Sequence, residues 1–218
     1  FTRPASLSLS FPDKKYGVIY ADPPWTFRTW SGGGKGRSPE KHYGCMSLED
    51  IRSLPVSDLA EQNCALFLWV TDPMLQEAFK LIEAWGFRYK TVAFNWAKLN
   101  ARAPTLMFSE QDFFTGMGYW TRANSELCLL ATRGKPKRLS KAVRRLVVDR
   151  RREHSRKPDS VAARIVDLMG DVPRIELFAR QSREGWDSWG DDAEKFNNRR
   201  SCRAHHYARY DVSFHYWR

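Results

Sequence analysis

Asp22, Pro23, Pro24 and Trp25 stand together in a chain of 218 residues, and their types suit one kind of chemistry. Asp22 and the carbonyls beside it are hydrogen-bond acceptors, and Trp25 offers a flat face. The two prolines remove two backbone donors and fix two φ angles, so the segment can neither continue as strand nor form helix interior. The result is a stiff, extended lip. A planar ring that carries an amino group fits such a lip: the ring stacks and the amine donates. An adenine turned out of a nucleic-acid stack has this shape. The same residues could also make a Pro-Pro turn with a buried Trp and a capping Asp, so the surrounding elements must decide.

The lip ends an apolar run, Tyr16-Gly17-Val18-Ile19-Tyr20-Ala21, that reads as a buried inner strand of a parallel sheet. Ligands of open α/β sheets bind at such carboxyl ends. Further strands are expected at Asn63–Thr71, Phe87–Lys98, Glu126–Thr132, Leu146–Val148 and Arg174–Ala179. Ser47-Leu48-Glu49-Asp50 starts a short helix with a capping-box pattern, limited by Pro55. Asp72-Pro73 opens a second helix with apolar Met74, Leu75, Ala78, Phe79, Leu81, Ile82 and Trp85, closed by Gly86. Lys157-Pro158-Asp159-Ser160 opens a third, with Val161, Ile165, Leu168 and Met169 on one face and Gly170 after it. Strands alternating with helices predict an α/β fold with a mostly parallel sheet.

Thr26–Gly44, rich in glycine and polar residues, reads as a long mobile lid or binding loop, and Leu99–Gly118 as a second irregular stretch. The glycines do not make a phosphate-binding P-loop, because no Gly-Lys-Ser/Thr ending or helix pattern follows. Residues 1–15 show no periodic element. Trp69 and Trp96 read as core residues, with a pocket role as the alternative.

The charge is concentrated. The chain carries a net +11, and Arg133–Lys157 alone holds twelve basic residues against Asp149 and Glu153. That pattern marks a polyanion-binding segment, with a solvated basic loop as the bland alternative. No apolar run approaches the ~18 residues of a membrane span, which predicts no membrane association. No secretory signal is visible, and the four cysteines show no paired spacing. A reduced, cytoplasmic protein without structural zinc is expected.

Five motifs occur in order: Tyr20-Ala21-Asp22-Pro23-Pro24-Trp25, His42-Tyr43-Gly44-Cys45-Met46-Ser47, Leu66-Phe67-Leu68-Trp69-Val70-Thr71, Lys157-Pro158-Asp159 and Ile175-Glu176-Leu177-Phe178-Ala179-Arg180. This set resembles the adenine methyltransferase family that includes the eukaryotic messenger-RNA methyltransferases and their bacterial and phage DNA relatives. The resemblance covers roughly Tyr16 to Asp192, and the short N-terminal part is similar to the bacterial or phage branch. It implies a Rossmann-like class I methyltransferase fold that uses S-adenosylmethionine. It also implies a permuted order, with the catalytic strand before the cofactor-binding strand. That order would explain why no Gly-x-Gly-x-x-Gly opens the chain.

Carried onto this sequence, the resemblance makes Asp22, Pro23, Pro24 and Trp25 catalytic. Asp22 and the Pro23 carbonyl would hold the adenine amine, and Trp25 and Tyr43 would line the base pocket. Lys98 is either a wall of that pocket or a surface residue at a strand end. Asp22, Lys157, Glu176, Arg180, Arg183 and Asp191 would bind the cofactor, with Lys157 on its carboxylate and Glu176, Arg180 and Arg183 around its ribose. Glu176 and Arg180 could instead form a structural ion pair. Ser182 stands where some relatives carry His, and Asp191-Asp192 where relatives often have an amide pair. The expected activity is methyl transfer to the N(6) amine of adenine in nucleic acid, DNA before RNA, with Arg133–Lys157 on the phosphates. A non-catalytic nucleic-acid-binding subunit is the rival reading, and retention of both the acid and the Trp speaks against it. Residues 1–192 would form the catalytic domain and 193–218 a basic, aromatic tail; a homodimer is possible.

Overall fold

The computed structural model describes residues 10–25, 46–104, 106–153 and 156–190. The lid expected at Thr26–Gly44, with Tyr43, and the tail from Asp191 onward lie outside the described residues. Seven strands form one sheet: β1 (Tyr16–Ala21), β2 (Ala60–Val70), β3 (Arg88–Leu99), β4 (Ser125–Arg133), β5 (Leu146–Arg150), β6 (Arg174–Leu177) and β7 (Asp187–Trp189). Their spatial order is β5-β3-β4-β2-β1-β6-β7. Among the described residues, β4 alone of the strands runs against its neighbours, and every other strand pairing is parallel. The expected mostly parallel sheet is therefore present, as is the permuted order: β1, first in the chain, lies directly beside the late strand β6.

Alternation divides β1 between two cores. Ile19 and Ala21 face one side, with α1 (Leu48–Ser53), α2 (Val56–Leu59) and α3 (Leu75–Ala84). Val18 and Tyr20 face the other, with α4 (Asp159–Met169). A strand buried on both faces needs a near-continuous apolar sequence, which Tyr16–Ala21 supplies. The helices that cover the sheet begin and end as the sequence signals. Ser47 and Asp50 form a reciprocal capping box at α1. Trp85, at the end of α3, donates its indole N–H to the Ile51 carbonyl 3.0 Å away and ties α3 to α1. Gly170 ends α4 with φ of 81°, a conformation that glycine adopts without Cβ strain.

Four details depart from the expected elements. β2 starts at Ala60 rather than Asn63, because Glu61, Gln62 and Asn63 occupy its open end and do not need to be apolar. Between Pro55 and that strand lies α2, a single turn too short to show a period. Asp72-Pro73 forms a 3-10 turn, and the α-helix begins only at Leu75. β7 is three residues long and half-buried, so it carries no alternation to read. No helix among the described residues is long and apolar enough to cross a membrane.

Leu66, fully buried at the centre of β2, tests this packing. Leu66→Ala should lower unfolding stability by about 2–5 kcal/mol in urea titration with an unchanged m-value.

Candidate active site

Asp22 follows the last residue of β1, at the carboxyl end of the parallel strands. Both of its carboxylate oxygens accept from the Lys157 ammonium, each at 2.8 Å. The third Lys157 contact is to Glu126 Oε1 at 3.0 Å, and Glu126 Oε2 pairs with Lys98 at 2.7 Å. Four charged groups thus alternate in sign across four segments of chain. The reversed direction of β4 makes this possible: its first residues lie where the parallel strands end, so Glu126 faces the lip.

Glu126 was not identified from the sequence, where it only opens a strand. A lone Glu ahead of the apolar Leu-Cys-Leu-Leu-Ala run was the available signal, because a carboxylate buried in a strand needs cations. Burial pushes its carboxyl up, but Lys157 and Lys98 outweigh that and hold it down to about 2. Burial pushes the Lys157 ammonium down, and Asp22 and Glu126 outweigh that and raise it. Lys98, left open as surface or wall, joins the charge chain and lies 5.1 Å over the Trp96 ring.

A second cluster lines the β6 side. Glu176 is buried in β6 directly beside Tyr20 and accepts from Arg183 Nε at 2.8 Å. Its ion-pair partner is therefore Arg183, six residues past the end of β6, rather than Arg180. Burial raises the Glu176 carboxyl despite Arg183, with Asp22 and Asp159 adding to the rise. Arg183 also reaches Asp159 at 2.9 Å. Asp159 gathers Gln181 at 2.8 Å, Arg152 at 2.5 Å and Arg156 at 3.3 Å as well. These donors hold its carboxyl well below the usual range against the effect of burial.

Between the clusters opens a cleft of about 300 Å³, including space open to solvent, lined by Asp22, Lys157, Glu176, Phe178, Arg180 and Arg183 among others. Phe178 turns the chain out of β6 with φ of 59°, a strained conformation for a bulky side chain, and brings Arg180 and Arg183 to the cleft. The donor set fits S-adenosylmethionine: an ammonium for a carboxylate and a buried acid for ribose hydroxyls.

The other expected site residues are placed as follows. Trp25 is 5% exposed in the core, its indole N–H donating to the Trp69 carbonyl at 2.9 Å. The Pro23 carbonyl accepts from the Trp25 N–H at 2.8 Å and keeps a second lone pair. Trp69 and Trp96 are core residues, bonded to the Tyr20 hydroxyl and the Asp149 carbonyl. Tyr43 and Asp191 fall outside the described residues.

The strand register splits Arg133–Lys157 rather than gathering it into one patch. Arg133 pairs with Cys64 near the start of β2, seven residues from Glu126 and so roughly 23 Å from the site end. Exposed Lys135, Lys137, Arg138 and Lys141 follow Arg133. Arg150, Arg152 and Arg156 lie at the site end, on the Ala103 carbonyl and on Asp159.

A mostly parallel sheet with one reversed strand, an acid-proline lip on an inner strand and a cleft beside the adjoining strand define a Rossmann-like methyltransferase. The chain belongs to the MT-A70 family, whose model matches residues 16–192. It is 34% identical over 196 residues to the Type II methyltransferase M.MunI of Mycoplasma sp, covering 82% of this chain and 78% of that protein. It is 30% identical over 178 residues to the N(6)-adenosine-methyltransferase MT-A70-like protein of Arabidopsis thaliana, covering 80% of this chain and 23% of that protein. To the human N(6)-adenosine-methyltransferase catalytic subunit METTL3 it is 27% identical over 168 residues, covering 76% of this chain and 26% of that protein. The chain thus spans about a quarter of these two eukaryotic relatives.

The charge chain has a defined pH window. The lowered Glu126 contributes stability that is complete above its ordinary 4.5 and is lost as pH falls toward about 2. The raised Lys157 contributes stability complete below 10.5 and lost only as pH rises through its higher folded value. Thermal unfolding should therefore hold a plateau between those limits and weaken in acid. Glu126→Gln should lower the plateau and flatten the acid loss; parallel profiles for both proteins would refute the assignment. Lys157→Met leaves two buried carboxylates facing each other and should cost about 3–5 kcal/mol in urea titration.

Proposed function

We propose that this chain transfers a methyl group from S-adenosylmethionine to the N(6) amine of adenine in DNA. The observation that carries the proposal is Asp22, fixed at the end of β1 on Lys157 and facing a cleft bounded by Glu176. DNA is favoured because the chain matches the Type II methyltransferase over 78% of that protein's length, against 26% for METTL3.

Lys157 would hold the cofactor's carboxylate, and Glu176, Arg180 and Arg183 its ribose side, with Asp191 assigned there by resemblance. Bound in this cleft, S-adenosylmethionine supplies a sulfonium methyl group. Each of the three Lys157 ammonium hydrogens already has a carboxylate oxygen in reach, so a ligand carboxylate would have to replace one of the Asp22 or Glu126 contacts. Release of Asp22 frees an acceptor for the target amine.

The amine of adenine is a weak nucleophile because its lone pair is delocalised into the ring. Asp22 and the Pro23 carbonyl would accept its two hydrogens and draw the nitrogen toward a tetrahedral shape. One hydrogen leaves as a proton, for which Asp22 is the acceptor in reach. Pro23 and Pro24 keep the acceptors from moving, so fixed position supplies much of the rate. Trp25 supports the lip from the core, with Tyr43 assigned to the base pocket. Arg150, Arg152 and Arg156 would hold phosphates nearest the site, which fixes register more than sequence.

RNA is the second reading, favoured by the eukaryotic relatives named as N(6)-adenosine-methyltransferases. Transfer of labelled methyl to DNA and RNA, each single- and double-stranded, separates the two. Label should appear as N(6)-methyladenine in DNA. Asp22→Asn should lower the rate at least ~100-fold, as loss of a preorganised acceptor does. Absence of label on every polymer would reject the proposal.

A further inference from the structure

The hairpin between β3 and β4 carries a side chain that the site does not use. Trp120 is fully exposed, at 106% of its reference area, and Tyr119 beside it is 52% exposed. The Thr121 N–H donates to the Tyr119 carbonyl at 2.7 Å, closing a three-residue turn with Trp120 at its centre and φ of 65°. Such a turn is rare and strained for any residue with a bulky side chain. Among the described residues no packing requires it, since Trp120 lies fully in solvent. The stem is nevertheless well built: the Gly116 N–H donates to the Ala123 carbonyl at 2.7 Å, and a Cβ on Gly118 would overlap the Thr121 carbonyl. A firm stem thus presents a strained, solvent-facing indole.

The stem is rooted on the catalytic end. Phe114 donates to the Lys98 carbonyl at 2.7 Å, and Lys98 donates to the Asn124 carbonyl at 2.9 Å. The Lys98 side chain leads through Glu126 and Lys157 to Asp22. β3 is three strands from β1, or about 14 Å, which is comparable to the ~12 Å width of a DNA major groove. The root of the stem and the lip therefore lie within about one groove width of each other along the end of the sheet.

The surroundings of the tip are basic. Arg122 anchors on the Gly116 carbonyl through Nε at 2.6 Å and is exposed, and Arg151 stacks on the Phe114 ring at 3.5 Å. No acid occurs from Phe113 to Asn124. A second copy of a chain with net charge +11 would bring like charge to this tip, whereas a nucleic acid brings phosphates and flat bases.

We propose that Trp120 is a stacking wedge. It enters the base stack beside the target and occupies the space that the adenine leaves on turning out, while Arg122 and Arg151 contact the flanking phosphates. This rests on the methyltransferase reading above. A filled gap lowers the unstacking cost that a duplex imposes on base flipping and a single strand does not.

The test compares methyl transfer to unmethylated genomic DNA, native and heat-denatured. Trp120→Ala should lower kcat/KM on native DNA at least ~10-fold and on denatured DNA less than about threefold, with Trp120→Phe keeping much of the native activity. Equal losses on both substrates, or no loss on native DNA, would overturn the wedge. So would a shift from dimer to monomer in sedimentation of Trp120→Ala, which would assign the tip to a subunit contact. Fluorescence polarisation with a 30-base-pair duplex, intact or with a central abasic site, supplies a readout independent of catalysis. Wild type should bind the abasic duplex more tightly, and Trp120→Ala should lose that preference. Absence of methyl transfer by the wild type rejects the enzyme reading; a retained abasic preference in Trp120→Ala rejects the wedge alone.

Discussion

Two carboxylates, Asp22 and Glu126, share one end of the sheet, and the ammonium of Lys157 lies between them. Two carboxylates brought together this far out of water need a cation between them. The rest of the site follows from that requirement. β4 must run backwards to bring its first residues to the lip, and the segment before α4 must reach the end of β1 to deliver the lysine. Lys98 completes the neutral set by taking the second Glu126 oxygen. Asp22 is thus positioned, directly or in turn, by partners from three other segments of the chain.

Asp159 organises the neighbouring half of the cleft. It lies two residues beyond Lys157 and in the first turn of α4, where a negative charge also suits the helix dipole. Its contacts run to Arg183, which pairs with Glu176, and to Arg152 and Arg156 of the basic segment. One carboxylate therefore ties the wall assigned to the cofactor to residues assigned to phosphates.

Much of the fold was legible because its strands and helices carry strong local signals. The buried run ending at Ala21, the Ser47 capping box and the glycine after α4 all stand where the sequence places them. Elements without periodicity were not legible. α2 is one turn long, β7 has three half-buried residues, and the polar start of β2 sits where solvent reaches it. The Asp72-Pro73 start was read as an α-helix, although the local backbone closes a tighter turn first.

The site divides along the same line. By itself, the sequence determined the lip, since two prolines after a buried strand leave an acid and an aromatic in one stiff place. It also determined the nearby cations and acids as candidates, through the order of their motifs. Only the tertiary structure decided which of them meet. Glu176 takes Arg183 and not Arg180; Lys157 takes both Asp22 and Glu126; and the basic segment is divided, with Arg133 beside the start of β2 and Arg150, Arg152 and Arg156 at the site end. Spacing along a chain fixes which face of a strand a residue occupies. It does not fix which strand lies alongside, and buried charges choose their partners across strands.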